Sequence, residues 1–149
     1  MFTSITALLC SSPAYGACSV TATPIAFGTY NSLTKAEVQT PASVTVRCND
    51  LLLNADFTVS LSAGQSGSAA ARYLVNGSYR LSYQVYTNAA RTTVAGDGSA
   101  GTVSPTGSVA ALVGIGTTSS TIQLYPVIIS GQSPVPGTYT DSLTILVSY

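Results

Sequence analysis

An all-β sandwich is the fold the sequence predicts, on three observations. Short runs alternate apolar and polar residues with the period of two that marks half-buried strands. Gly, Pro, Asn and Ser clusters separate those runs at intervals suited to turns. No segment holds the 3.6-residue period of an amphipathic helix over ten or more residues. With 149 residues the chain is one domain, large enough for a real core. Hydrophobic residues make up 46% and charged residues only 7%, against about 25% charged in an average globular protein. That balance is the reverse of a disordered chain, and it leaves a neutral surface poorly protected against association.

Residues 1–17, MFTSITALLCSSPAYGA, have the features of the back half of a secretory leader. An apolar run from Ile5 to Leu9 is followed by Ser-Ser-Pro and then by small residues at Ala14, Gly16 and Ala17 that suit a signal peptidase. No Lys or Arg precedes the run, which is shorter than the ~7–15 residues of a full apolar region, so residues 1–16 are expected to be a truncated signal peptide. Residues 17–149 then form the folded domain. Thr3, Ile5, Ala7 and Leu9 also alternate, and as a retained segment they read as a strand.

Removal of the leader takes Cys10 with it and leaves Cys18 and Cys48. An even pair in an exported chain fits one disulfide, closing a loop of about 30 residues and worth roughly 3 kcal/mol in the chain-entropy picture. Two other fates stay open for these thiols: lipidation of Cys18 after Tyr-Gly-Ala, and two buried free cysteines.

From Cys18 the runs follow in order. Cys18 to Ala22 alternates until Pro24, and Ile25 to Tyr30 resumes in a shifted phase, as at an edge or where a strand changes partners. Ala42 to Cys48 alternates cleanly and turns Cys48 inward with Val44 and Val46. Phe57, Val59, Leu61 and Ala63 share the next apolar face, ahead of a turn at Gly64 to Gly67. Asn76-Gly77, the dipeptide of a tight type I′ hairpin, joins Arg72–Val75 to a strand in which Tyr79, Leu81, Tyr83 and Val85 share a face. Asn88 to Val103 reads as loop, Thr121 to Ile129 as a strand interrupted by Pro126, and GQSPVPG from Gly131 as a rigid turn. Six or seven main strands follow the leader. The last of them, Tyr139 to Tyr149, is still running where the sequence stops, so one of its flanks must face water, a distant strand or another chain.

Composition excludes several functions. The sequence has no histidine, which rules out His-dependent catalysis and the usual His/Cys zinc sites and leaves no base to activate a serine. Its five carboxylates (Glu37, Asp50, Asp56, Asp97 and Asp141) are scattered and form no calcium loop. A net charge of zero offers no footprint for nucleic acid, and no run approaches the ~18 apolar residues of a membrane span. No enzyme activity and no cofactor are expected.

Several stretches together resemble a known family: Cys18-x-Val20, Phe27-Gly-Thr-Tyr30, Val44 to Cys48, Leu81-Ser-Tyr-Gln-Val-Tyr-Thr-Asn-Ala-Ala-Arg-Thr-Thr93, Gly96-Asp-Gly98, and Pro136 through Tyr149. In order and spacing the chain is similar to the spore coat protein U domain, the pilin module of archaic (Csu-type) chaperone–usher pili. The resemblance implies an incomplete immunoglobulin-like β-sandwich of pilin type, missing its last strand and secreted through the periplasm to a cell-surface pilus. A periplasmic chaperone lends the missing strand, and a neighbouring pilin subunit replaces it at the outer-membrane usher, the mode of β-strand addition. Leu143, Ile145, Val147 and Tyr149 are then the candidate chaperone and donor-strand interface, although the same parity also suits the sandwich core. The terminal carboxylate is a natural anchor for a basic chaperone residue. The role implied is a structural subunit in adhesion and biofilm formation. The alternative is a tip module that accepts but does not donate a strand and touches a surface through Ser108 to Thr118. Ala95 and Pro126 depart from the family pattern, which commonly has Trp at the first position and a Gly-Arg pair after the tyrosine at the second.

Overall fold

Eleven strands, numbered β1 to β11 along the chain, make two sheets in a computed structural model that describes residues 2–9, 18–51, 53–112 and 116–149. The first sheet has the order β3 (Ile25–Ala26), β1 (Phe2–Leu9), β11 (Asp141–Ser148), β6 (Ala55–Leu61) and β9 (Thr106–Val109). The second runs β2 (Cys18–Ala22), β5 (Ala42–Asn49), β10 (Thr117–Ile128), β8 (Tyr79–Tyr86) and β7 (Tyr73–Asn76), with β4 (Val38–Gln39) also paired to β10. Among the described residues the only helical turn is a short 3-10 segment at Gly64–Ser66.

Period two becomes burial directly. Along β5 the inward positions Ala42, Val44, Val46 and Cys48 are buried, along β6 Ala55, Phe57, Val59 and Leu61, and along β11 Asp141, Leu143, Ile145 and Val147. These faces meet Leu81, Tyr83 and Val85 of β8 and Leu124 and Ile128 of β10 in one core. The Phe27 and Tyr83 rings meet edge to face within it, centroids 5.7 Å apart. Cys18 and Cys48 stand directly opposite one another on β2 and β5 and form a disulfide. Pro24 lies where the chain leaves β2 in the second sheet and enters β3 in the first, which is the change of partners its position suggested.

Two expectations are corrected. Pro126 does not interrupt a strand, because β10 continues through it to Ile128. On one flank β10 pairs with β5 up to Leu124 and with β4 from Val127, so the proline, which has no N–H, falls at the gap between partners. Its carbonyl still accepts from the Thr40 N–H at 3.1 Å. Tyr79 does not share the buried face of β8; it is 54% exposed beside the Gly77-Ser78 turn, beyond the reach of the core. Ala95, at the position where the related pattern has Trp, is fully buried, with its carbonyl accepting from Arg72 Nη1 at 2.9 Å.

Candidate strand-acceptor site

β11 has two hydrogen-bonding flanks, one taken by a strand from the middle of the chain and the other by the first strand. On one side it pairs antiparallel with β6, from Ile145 opposite Leu61 to Ser148 opposite Thr58. On the other it pairs parallel with β1 over seven positions, from Thr3 opposite Asp141 to Leu9 opposite Val147. Beyond β1 lies β3, held only by Phe2 opposite Ala26 and Thr3 opposite Ile25. β1 is therefore an inserted strand. Without it, β3 and β11 face each other across an empty strand position over the core.

The wall of that slot is apolar on its inner side. Leu143, Ile145 and Val147 are all but fully buried, and Tyr149 is half-buried against the same core. Ile5, Ala7 and Leu9 take register positions opposite those three residues. Ser142, Thr144, Leu146 and Ser148 point away from the core. The Thr144 N–H donates to Ser62 Oγ at 2.9 Å, and the Ser62 N–H donates to the Thr144 carbonyl at 2.9 Å, so residue 144 directs its main chain toward β6. Main-chain direction alternates along a strand, which turns the amides of Leu143, Ile145 and Val147 toward β1.

A buried polar cluster anchors the start of β11. Asp141 Oδ2 accepts from the Tyr83 hydroxyl at 2.6 Å, and Oδ1 accepts from the N–H groups of Gln65 and Ser142 at 2.8 Å each. Close by, the Arg72 guanidinium is 1% exposed and donates to the carbonyls of Ser62, Ala69 and Ala95 and to Gln84 Oε1. Burial lowers the Arg72 pKa from its ordinary value, opposed by Tyr83 and Asp141. Burial, reinforced by the bond to Asp141, pushes the Tyr83 hydroxyl far up, so it serves as a permanent donor. The cluster ties both sheets together at the end of the slot where β1 begins. Gly64 follows from it: at φ +65°, a Cβ there would run into the Asp141 carboxylate.

The expected site residues thus fall in two places. Leu143, Ile145, Val147 and Tyr149 line up along the slot, whereas Cys18 and Cys48 sit in the other sheet and brace β2. Cys10, Ala14, Gly16 and Ala17 lie outside the described residues. In the stretch from Ser108 to Thr118, Val109 is buried and Leu112 exposed, and residues 113–115 lie outside the described residues. Sequence reasoning missed Arg72 and Tyr83, whose only signal was their rarity as polar groups within apolar runs. Among the described residues no three side chains are grouped to hold a metal, and no helix is long and apolar enough to cross a membrane.

The spore coat protein U domain matches residues 5–146, nearly the whole chain, including most of β1 and most of β11. The chain belongs to the spore coat protein U domain family. Among solved structures, this family member is similar in fold to a chain from the crystal structure of the CsuC–CsuE chaperone–tip adhesion subunit pre-assembly complex of the archaic chaperone–usher Csu pili of Acinetobacter baumannii. The TM-score is 0.58 at 22% identity, over 89% of this chain and 39% of that one. This spore coat protein U domain chain therefore spans well under half the length of that relative. No curated protein matches it.

Proposed function

We propose that the chain is a structural, non-enzymatic subunit of a chaperone–usher pilus or surface coat, assembled by accepting a strand in the slot between β3 and β11. The observation that carries this reading is that, among the described residues, the two walls of the slot, β3 and β11, are joined in the sheet only through β1, a segment with the features of a leader. Removal of residues 1–16 on export vacates the slot in the periplasm. A chaperone strand then fills it, and at the outer-membrane usher a segment of a neighbouring subunit takes its place, using main-chain hydrogen bonds to β11 for affinity and the Leu143, Ile145, Val147 and Tyr149 parity for register. The finished fibre sits at the cell surface and serves adhesion and biofilm formation.

Co-expression in a periplasm with an archaic-type chaperone tests this. A one-to-one complex is expected, whose subunit begins near Ala17. Recovery of the subunit alone as a stable monomer refutes it.

A second reading, a tip subunit that accepts a strand but donates none, draws support from Leu53 and Leu112. They are 64% and 37% exposed on neighbouring loops joined by the Leu112 N–H to the Leu51 carbonyl at 3.1 Å. Polymerisation with itself identifies a shaft subunit, and capping of a growing fibre identifies a tip.

A further inference from the structure

The second sheet carries a groove that strand acceptance does not use. Two clefts, of about 320 and 210 Å³, adjoin along the outer side of β10 and share Arg91 and Val127 in their walls. Tyr125 lines the first and Tyr86 the second, and these two residues stand directly opposite on β10 and β8. Directly opposed residues present their side chains on the same face, about 4.8 Å apart across the sheet. Tyr125 is 36% exposed, and among the described residues neither tyrosine hydroxyl has a hydrogen-bond partner.

Beside the tyrosines the polar groups are held in place. Arg91 takes the left-handed backbone conformation, φ +57°, that few non-glycine residues adopt. Asn88 holds it there: its carbonyl accepts the Arg91 N–H at 3.1 Å, its side-chain oxygen accepts the Thr92 N–H at 3.1 Å, and its amide donates to Thr92 Oγ1 at 2.9 Å. The loop directs Arg91 Nη1 onto Glu37 Oε2 at 2.6 Å, and Gln39 Nε2 donates to the other Glu37 oxygen at 2.7 Å. Guanidinium, carboxylate and carboxamide thus form a hydrogen-bonded strip whose opposite charges are paired. A groove neutralised in this way selects against anions. The two tyrosines, Gln39 and Thr40 share its walls with Pro41, Ala89, Pro126, Val127 and Ile129, so the groove sets apolar faces beside polar side chains.

We propose that this groove binds a neutral oligosaccharide. Tyrosine rings offer flat apolar faces with polar tips, which match the C–H face and hydroxyl rim of a sugar ring. Planar groups with paired donors or acceptors match vicinal hydroxyls. Two clefts on either side of Arg91 fit two consecutive sugar units. The slot lies in the other sheet, so this face stays open whichever strand fills the slot, and the assignment stands independently of the pilus reading.

The test is an NMR titration of the full isotope-labelled chain with cellohexaose, maltohexaose and the hexamer of N-acetylglucosamine as neutral probes, and hexagalacturonate as the anionic one. Saturable shifts confined to Gln39, Tyr86, Arg91 and Tyr125 with at least one neutral hexamer are expected. Tyr125→Ala, at a surface position that leaves the core intact, is expected to weaken that binding at least about tenfold. Glu37→Gln releases the Arg91 charge and is expected to raise hexagalacturonate affinity. Absence of saturation with all three neutral hexamers, tighter wild-type binding of hexagalacturonate than of any of them, or undiminished binding by Tyr125→Ala overturns the proposal.

Discussion

Replacing Asp141 with alanine removes the acceptor at the head of β11 and strands three donors: the Tyr83 hydroxyl and the N–H groups of Gln65 and Ser142. Asp141 and Tyr83 are both buried, at 2% and 0% exposure, so water does not readily replace the lost bond between them. Each unsatisfied buried donor costs about 1–3 kcal/mol. Gln65 lies nearer solvent and recovers part of its share, which brings the total to about 3–5 kcal/mol, in the range for breaking a buried charged contact. Asp141→Asn keeps an oxygen for both N–H groups and changes only the partner of Tyr83, so about 1–2 kcal/mol is expected. Urea unfolding of the full chain, with slope and midpoint fitted for both variants, reads the difference. A chain of this size shifts its Tm by about 2–4 °C per kcal/mol, so Asp141→Ala should melt roughly 6–20 °C below the parent. An Asp141→Ala variant within about 1 kcal/mol of the parent, or an Asn variant as unstable as the Ala one, refutes the anchoring role of this cluster.

Three other outcomes follow from the same structure. Reducing the Cys18–Cys48 disulfide, which spans 30 residues, is expected to lower stability by about 3–4 kcal/mol, measured as the change in urea midpoint with and without reductant. Gly64→Ala meets both a left-handed backbone and the Asp141 carboxylate, whereas Gly67→Ala at φ +73° meets open space. The first should cost about 2–4 kcal/mol and the second about 1–2 kcal/mol, and equal losses would contradict the close approach at Gly64. Bonds from Arg91 hold the Glu37 carboxyl below its ordinary value, and bonds from Ser99 do the same for Asp97. Carboxyls lowered on folding add stability above their unfolded pKa of about 4 and lose it as pH falls through the folded value. With no histidine in the sequence, a Tm profile is expected that is flat across neutral pH, falls in the acid carboxylate range, and falls again above about pH 10, where Tyr83 ionises in the unfolded chain but stays protonated in the fold.

Much of this architecture was legible because one face of each long strand is buried, and burial writes period two into the sequence. β5, β6 and β11 carry that signal without a break, and Asn76-Gly77 marks a hairpin at the right place, although Asn76 pairs with Tyr79 and the turn is Gly77-Ser78 with a positive φ at Gly77 alone, not the type I′ pair expected. Partnership was harder to read. The segment FTSITALL satisfies both the apolar content of a leader and the alternation of a strand, and its pairing partner lies at the other end of the chain. Pro126 looked like an interruption because the switch of β10 from β5 to β4 leaves no local trace. Arg72, Tyr83 and Asp141 meet only through sheet packing, so nothing in their separate neighbourhoods announces a cluster. The slot was foreshadowed by a terminal strand with an unassigned flank, whereas its occupant and its polar anchor needed three dimensions.

The central claim is that β11 offers its β1-facing flank to a strand from another chain. Amide hydrogen exchange across β11 in the chaperone-bound subunit, compared with the subunit after the chaperone is stripped away, tests it most directly. The account predicts that the amides of Leu143, Ile145 and Val147 are protected in the complex and exchange rapidly once the chaperone is removed. Unchanged protection of these three amides in a folded subunit that lacks both residues 1–16 and any partner would contradict it, because the sandwich would then be complete on its own.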